Sequence, residues 1–170
     1  MNSFRFSAAL ALALAVSARA AGAGFSAEKS AHGVVVKYDG QPFAGAPVIL
    51  TRQLGDVTVG FFGLITPSTA VSSSPGGDVH FTDPVAAAKT AVDALRHQGA
   101  QVVVALTHLD LADDRELLRA VPGITLILGG HDHDPIAWLE NGALILKAGH
   151  DGQYLSAVDL AVRTPPAGPR

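Results

Sequence analysis

The 170-residue chain has room for one domain, and its 48% hydrophobic content suffices for a packed core. Twelve Lys and Arg against 15 Asp and Glu give a formal charge of −3, which argues against nucleic-acid binding through a basic face. With no cysteine, disulfides, thiolate metal sites and a cysteine nucleophile are excluded. Residues 1–24 differ from the rest. Arg5 precedes an apolar run from Phe6 to Ala18, and Ala18-Arg19-Ala20 closes it with small residues, the layout of a signal peptide. The run is short for a stable membrane span, so the expectation is a periplasmic or secreted protein; an alanine-rich leader unrelated to export is the other reading. Residues 25–163 make the domain, and the Pro- and Gly-rich residues 164–170 read as a tail or linker.

Residues 33–38, 46–53 and 57–64 are apolar and rich in β-branched residues, and read as strands. Residues 66–82 include Ser72-Ser-Ser-Pro-Gly-Gly77 and read as a surface loop. Thr82-Asp83-Pro84 starts a helix, Val85, Ala88, Val92 and Leu95 recur at helical spacing, and Gly99 ends it. Residues 101–106 are a buried strand ending in Thr107-His108; residues 112–121 are a short acidic-to-basic helix, turned by Pro122-Gly123. Ile124-Thr-Leu-Ile-Leu is a second buried strand, and Gly129-Gly130 then stop it and turn the backbone into His131-Asp132-His133. Residues 143–148 and 154–162 read as two strands of a hairpin around Gly149-His150-Asp151-Gly152.

This alternation implies an α/β fold with parallel strands joined by crossovers. His108 and the His131/His133 pair then emerge at one edge of the sheet, where α/β proteins place their ligands. Neutral imidazole is the commonest side-chain metal ligand. Two imidazoles at i and i+2 can diverge toward two ions about 3.5–4 Å apart, an arrangement that clamps a phosphoryl group. An H-x-H alone is weak evidence, since amidohydrolases and cupins use it too.

The chain resembles the calcineurin-like metallophosphoesterases, specifically the exported 5′-nucleotidase and 2′,3′-cyclic phosphodiesterase group. The resemblance lies in Val57-Thr-Val-Gly-Phe-Phe-Gly-Leu-Ile-Thr-Pro67, Val103-Val-Ala-Leu-Thr-His108, Ile127-Leu-Gly-Gly-His-Asp-His133 and Lys147-Ala-Gly-His-Asp-Gly-Gln-Tyr-Leu155. It spans roughly residues 33–162 and corresponds to the second half of that catalytic domain. It implies part of an αββα sandwich with a two-metal centre. His108 and His131 would share one ion and His133 would bind the other, with a metal-bridging water or hydroxide as nucleophile. The substrate would be a phosphate monoester such as a nucleotide. The metal is divalent, with Zn, Mn, Fe and Co equally suited to histidine and carboxylate ligands.

The family's early D-x-H, its G-D and its G-N-H-[DE] have no counterpart here; Asp39-Gly40 and Gly55-Asp56 stand in other contexts. The expectation is therefore a truncated phosphoesterase needing an upstream segment or a complementary chain. The alternative is a non-catalytic exported remnant that binds metal weakly or acts only with a partner. Asp132 reads as a solvent-facing or supporting group between ligands. Asp110, Asp113 and Asp114 read as helix-start acids favoured by the helix dipole. His150 reads as an exposed hairpin residue, with substrate contact as the alternative. His32, His80 and His97 read as surface residues, and Trp138 and Leu139 as packing against the sheet edge.

Overall fold

The computed structural model describes residues 49–75 and 79–163, together with the backbone of four strands before them. Those four are β1 (Asn2–Ser7), β2 (Phe25–Ser30), β3 (Gly33–Tyr38) and β4 (Gln41–Pro42). The expected leader core, the Asp39-Gly40 turn, His32 and residues 164–170 lie outside the described residues. The main body continues with β5 (Ile49–Leu54), β6 (Val57–Ile65), a single-turn helix α1 (Thr69–Ser72) and α2 (Pro84–His97). Then follow β7 (Val102–His108), α3 (Leu111–Ala120), β8 (Leu126–Gly129), β9 (Pro135–Glu140), β10 (Ala143–Ala148) and β11 (Ala157–Val162).

Six strands form one mixed sheet in the order β5-β6-β7-β8-β10-β9. Its centre, β6 to β7 to β8 to β10, is parallel, and β5 and β9 flank it antiparallel. The period-2 pleat sends alternate residues to opposite faces. Phe62, Val103, Ala105, Ile127 and Ile145 meet α2 and α3 through Ala88, Ala91, Val92, Leu95, Leu117 and Leu118. Val57, Val59, Phe61, Val102, Val104 and Leu126 face the other way and bury Val158 of β11. β11 pairs antiparallel with β1 in a second sheet, so the layers run helix, sheet, sheet. Continuous apolar runs in β6 and β7 are thus strands buried on both faces. Gly60 lets α2 approach closely: a Cβ there would stand 2.8 Å from Leu95 Cδ2 and 3.0 Å from Ala100 Cβ.

Local signals place the helices. Asp83 caps α2, its side chain accepting from Ala86 N at 2.7 Å, with Pro84 in the first turn. Asp110 caps α3 in the same way, accepting from Asp113 N at 2.9 Å. Three expectations need correction. Residues 66–82 are not all loop, since α1 lies within them. β9 is a strand that the residue pattern hides, because Pro-Ile-Ala-Trp-Leu-Glu runs along an exposed sheet edge and does not alternate. It forms a hairpin with β10 through Asn141-Gly142, both at positive φ (50° and 78°), the geometry of a type I′ turn. Consequently β10 and β11 are not a hairpin: β10 sits between β8 and β9, and β11 crosses to the second sheet. Among the described residues no helix is long and apolar enough to cross a membrane.

Candidate metal centre

Parallel β7, β8 and β10 are neighbours in register, with Thr107 opposite Gly129 and Gly129 opposite Lys147. Their carboxyl ends therefore open at one edge, and the loops there carry His108, His131 and His133, and His150. The ladder continues past β8 through Gly130 N donating to Thr107 O at 3.0 Å. Thr66 N donates to His108 O at 2.9 Å, tying the end of β6 to the same edge.

The Gly-Gly pair acts differently from the expected turn. Gly129 is the last residue of β8, and a Cβ on it would stand 3.0 Å from Thr107 Oγ1, 3.2 Å from Lys147 Cε and 3.3 Å from Asp114 Oδ2. Its lack of a side chain makes room for a buried ionic cluster. The left-handed backbone instead falls on the histidines, at φ 80° for His131 and 62° for His133. Non-glycine residues adopt this region at a cost of order 1–3 kcal/mol each, and such strain concentrates at functional sites.

Asp132 holds the strained loop in place. Its Oδ1 accepts from Leu111 N at 3.2 Å, one of the backbone donors that the start of α3 leaves unpaired. Its Oδ2 pairs with Lys147 Nζ. Lys147 is only 2% exposed, and its ammonium also donates to Leu109 O at 2.6 Å and Gly130 O at 3.0 Å. Those three bonds use all of its hydrogens. Asp114, fully buried, lies 2.9 Å from the same nitrogen and is ion-paired with it. Burial pushes the Asp114 carboxyl above its usual range, opposed by Lys147 and Thr107. Burial also works to raise Asp132, but Lys147 and the Leu111 amide outweigh it and leave its carboxyl lowered. Of the two readings of Asp132 the supporting one holds, since it clamps the loop, and Asp114, in the first turn of α3 as expected, is in addition a fully buried core residue. A lysine in the buried strand Leu144-Ile-Leu-Lys147 was the available signal, since a buried charge requires a partner.

The imidazoles fall into two pairs. The His108 and His131 rings have centroids 5.0 Å apart with planes at 78°. The His133 and His150 rings are 5.4 Å apart at 35°. Two imidazoles on one tetrahedral ion, with metal–nitrogen bonds of about 2.0–2.1 Å, have centroids about 5 Å apart. The His108–His131 pair therefore fits a shared divalent ion in spacing and in donor chemistry. His133 faces His150, which the sequence alone reads as an exposed hairpin residue or a substrate contact. Among the described residues no three metal-ligating side chains converge on one point.

A cleft of about 160 Å³ lies on the helix side, between Pro67, Asp83, Pro84, Val85, Leu109, Asp113, Glu116 and Leu117. Its three carboxylates give it the wrong charge for a phosphate ester. Burial, then repulsion from Asp110 and Glu116, raises the Asp113 carboxyl. His80 and His97 are exposed and remote from the histidine edge in sequence and element, on the loop before α2 and at its last residue.

Known proteins resemble this chain over its larger part. The trifunctional nucleotide phosphoesterase protein YfkN of Bacillus subtilis is 37% identical over 121 residues, covering 68% of the chain and 8% of that protein. A solved structure of calcineurin-like phosphoesterase YfkN superposes with a TM-score of 0.60 at 23% identity, over 68% of this chain and 44% of that one. The 5′-nucleotidase precursor of Thermus thermophilus superposes at 0.62 with 28% identity, over 68% and 26%. The sulfate thiohydrolase SoxB of Thermus thermophilus superposes at 0.61 with 30% identity, over 69% and 22%. The chain thus spans less than half the length of each of these proteins. No family model matches it.

Proposed function

From a chain that is homologous to the calcineurin-like metallophosphoesterases and 5′-nucleotidases, corresponding to the later part of their catalytic domain, we propose a divalent-metal-dependent phosphoesterase site acting on phosphate monoesters such as nucleotides. The relatives are hydrolases, and the observation that carries the reading to this chain is the His108–His131 pair at single-ion spacing on the edge where β7 and β8 end. His108 and His131 would hold one ion, and His133 would serve a second. A bound divalent ion supplies Lewis acidity toward a phosphoryl oxygen and activates water near neutral pH. The chain's own residues hold the ligands still: Lys147 and Asp132 lock the loop between His131 and His133, and Gly130 N ties it to β7. The apolar run before Ala20 supports export to the periplasm or outside the cell. An export-competent host then yields a mature chain starting at Ala21, without the β1 strand that pairs with β11, read by intact mass; an uncut chain would defeat the export reading.

The experiment is phosphate release from a nucleoside 5′-monophosphate and from p-nitrophenyl phosphate, by the purified chain loaded with Zn²⁺, Mn²⁺ or Co²⁺. Activity that a chelator abolishes and His131→Ala removes is the expected result. Metal uptake with no hydrolysis in any loading would instead favour the reading as a metal-binding remnant or one half of a partner-dependent site. No uptake and no hydrolysis would defeat the metal reading.

A further inference from the structure

We propose that His150 is a further imidazole ligand of this centre, sharing with His133 the ion that His108 and His131 do not hold. The proposal rests on the metal-dependent reading above and extends it to a residue that the H-D-H motif does not contain. The first support is spacing: the His133 and His150 centroids are 5.4 Å apart, close to the about 5 Å that one tetrahedral ion imposes and to the 5.0 Å of the His108–His131 pair.

The second support is orientation. His150 Nδ1 lies 2.9 Å from Asp151 Oδ2. An ionised carboxylate only accepts, so Nδ1 carries the hydrogen and donates it, which leaves the Nε2 lone pair free. Metal-bound histidines characteristically donate their other nitrogen to a carboxylate in this way. The third support is the backbone that brings the ring there. Gly149 and Asp151 have φ of 73° and 54°, and Gln153 N donates to His150 O at 3.1 Å, closing a tight turn. A Cβ on Gly149 would stand 3.7 Å from His133 O and 3.0 Å from the Tyr154 ring, so the end of β10 runs close beneath the His133 loop. His131, His133 and Asp151 all hold left-handed backbone at this edge. Such strain persists only where the surroundings enforce it.

The test uses the full chain, stripped with a chelator and titrated with Co²⁺, following calorimetry and the visible absorption of the bound ion. Two Co²⁺ are expected per chain. His133→Ala and His150→Ala should each weaken the same one by about 100-fold or more, and the double variant should be no worse than His133→Ala alone. His108→Ala should weaken the other ion. Asp151→Asn, which keeps the turn but removes the charge from Nδ1, should cost about 10–100-fold at the His150 ion. Far-UV circular dichroism should be unchanged, because His150 lies in a turn with its side chain 38% exposed. An unchanged isotherm and spectrum for His150→Ala, in a parent that binds Co²⁺, would overturn this assignment alone. A loss in His150→Ala that adds fully to that of His133→Ala would also overturn it. A parent that binds no Co²⁺ would defeat both this assignment and the reading beneath it.

Discussion

At the residue scale, the site is built by placing strained histidines around one immobilised carboxylate. His131 at φ 80° sits where an L-residue pays for its Cβ, and glycine does not. The loop therefore holds a residue that opposes its own conformation. His131→Gly should be more stable than His131→Ala by about 1 kcal/mol in urea unfolding, while both lose the same ion. The reverse order would mean that the left-handed turn relaxes in solution. Lys147 carries the opposite kind of dependence. Lys147→Met keeps the length and apolar stem of the side chain but leaves Asp132 and Asp114 without their cation. Breaking a buried pair from one side typically costs about 3–5 kcal/mol. The raised Asp114 carboxyl can take up a proton and lessen the penalty, so the loss should be larger at pH 8 than at pH 5. A pH-independent loss in chemical denaturation would assign the whole effect to Asp132 and packing.

At the element scale, α3 is held to the sheet edge by charge as well as by its apolar stripe. Arg115 Nε and Arg119 Nε reach Glu140 of β9 at 2.8 Å and 2.9 Å, and the Trp138 indole N–H donates to the same carboxylate at 3.1 Å. The Arg115 guanidinium also lies 4.5 Å from the Trp138 ring centre. Trp138, 41% exposed, thus covers charge on the edge strand, and Leu139, 70% exposed, packs against little. Arg115 foremost, with Arg119 and Trp138, pulls the Glu140 carboxyl from 4.5 to about 2. A depressed folded-state pKa contributes stability that is full above the unfolded value and is lost as pH falls. The thermal midpoint of the parent should therefore exceed that of Glu140→Gln above pH 5, and the difference should shrink between pH 4.5 and about 2. A constant difference across that range would remove Glu140 from the acid response.

Elements with their own punctuation were readable in the sequence, and the others were not. Asp83-Pro84 and Gly99 bounded α2 because caps and breakers act locally. β6 and β7 showed as uninterrupted apolar runs because both faces are buried. β9 stayed hidden because an exposed edge imposes no alternation, although Asn141-Gly142 marked its turn. That omission carried into the site. Without β9, the pattern pairs β10 with β11 and gives no sign that its end lies beside β8. His150 then reads as a hairpin residue, and nothing in the sequence links Lys147 to Asp132. The placement of His108 and His131 at one edge is legible because they follow strands whose order the crossovers dictate, and their ring centroids lie 5.0 Å apart.

At the scale of the whole molecule, the candidate centre draws on the ends of three parallel strands, β7, β8 and β10, joined by α3 and the β9 hairpin. Ions held there would tie position 108 to 131 and position 133 to 150, contacts that unfolding separates. Binding to the folded state alone stabilises it by RT ln(1 + [L]/Kd), about 2.7 kcal/mol at a hundredfold excess over Kd. The expected result is a thermal midpoint that rises with Zn²⁺ or Co²⁺ concentration and returns when a chelator is added. For a chain of this length a shift of about 5–11 °C corresponds to that free energy. His108→Ala and His131→Ala should each remove part of the rise, because each leaves one imidazole where the geometry offers two. His97→Ala, on the far end of α2, should leave it intact. A midpoint that climbs equally in all three variants would place the ion elsewhere, and one that never moves would mean that the strand ends are held by Lys147 and its carboxylates alone.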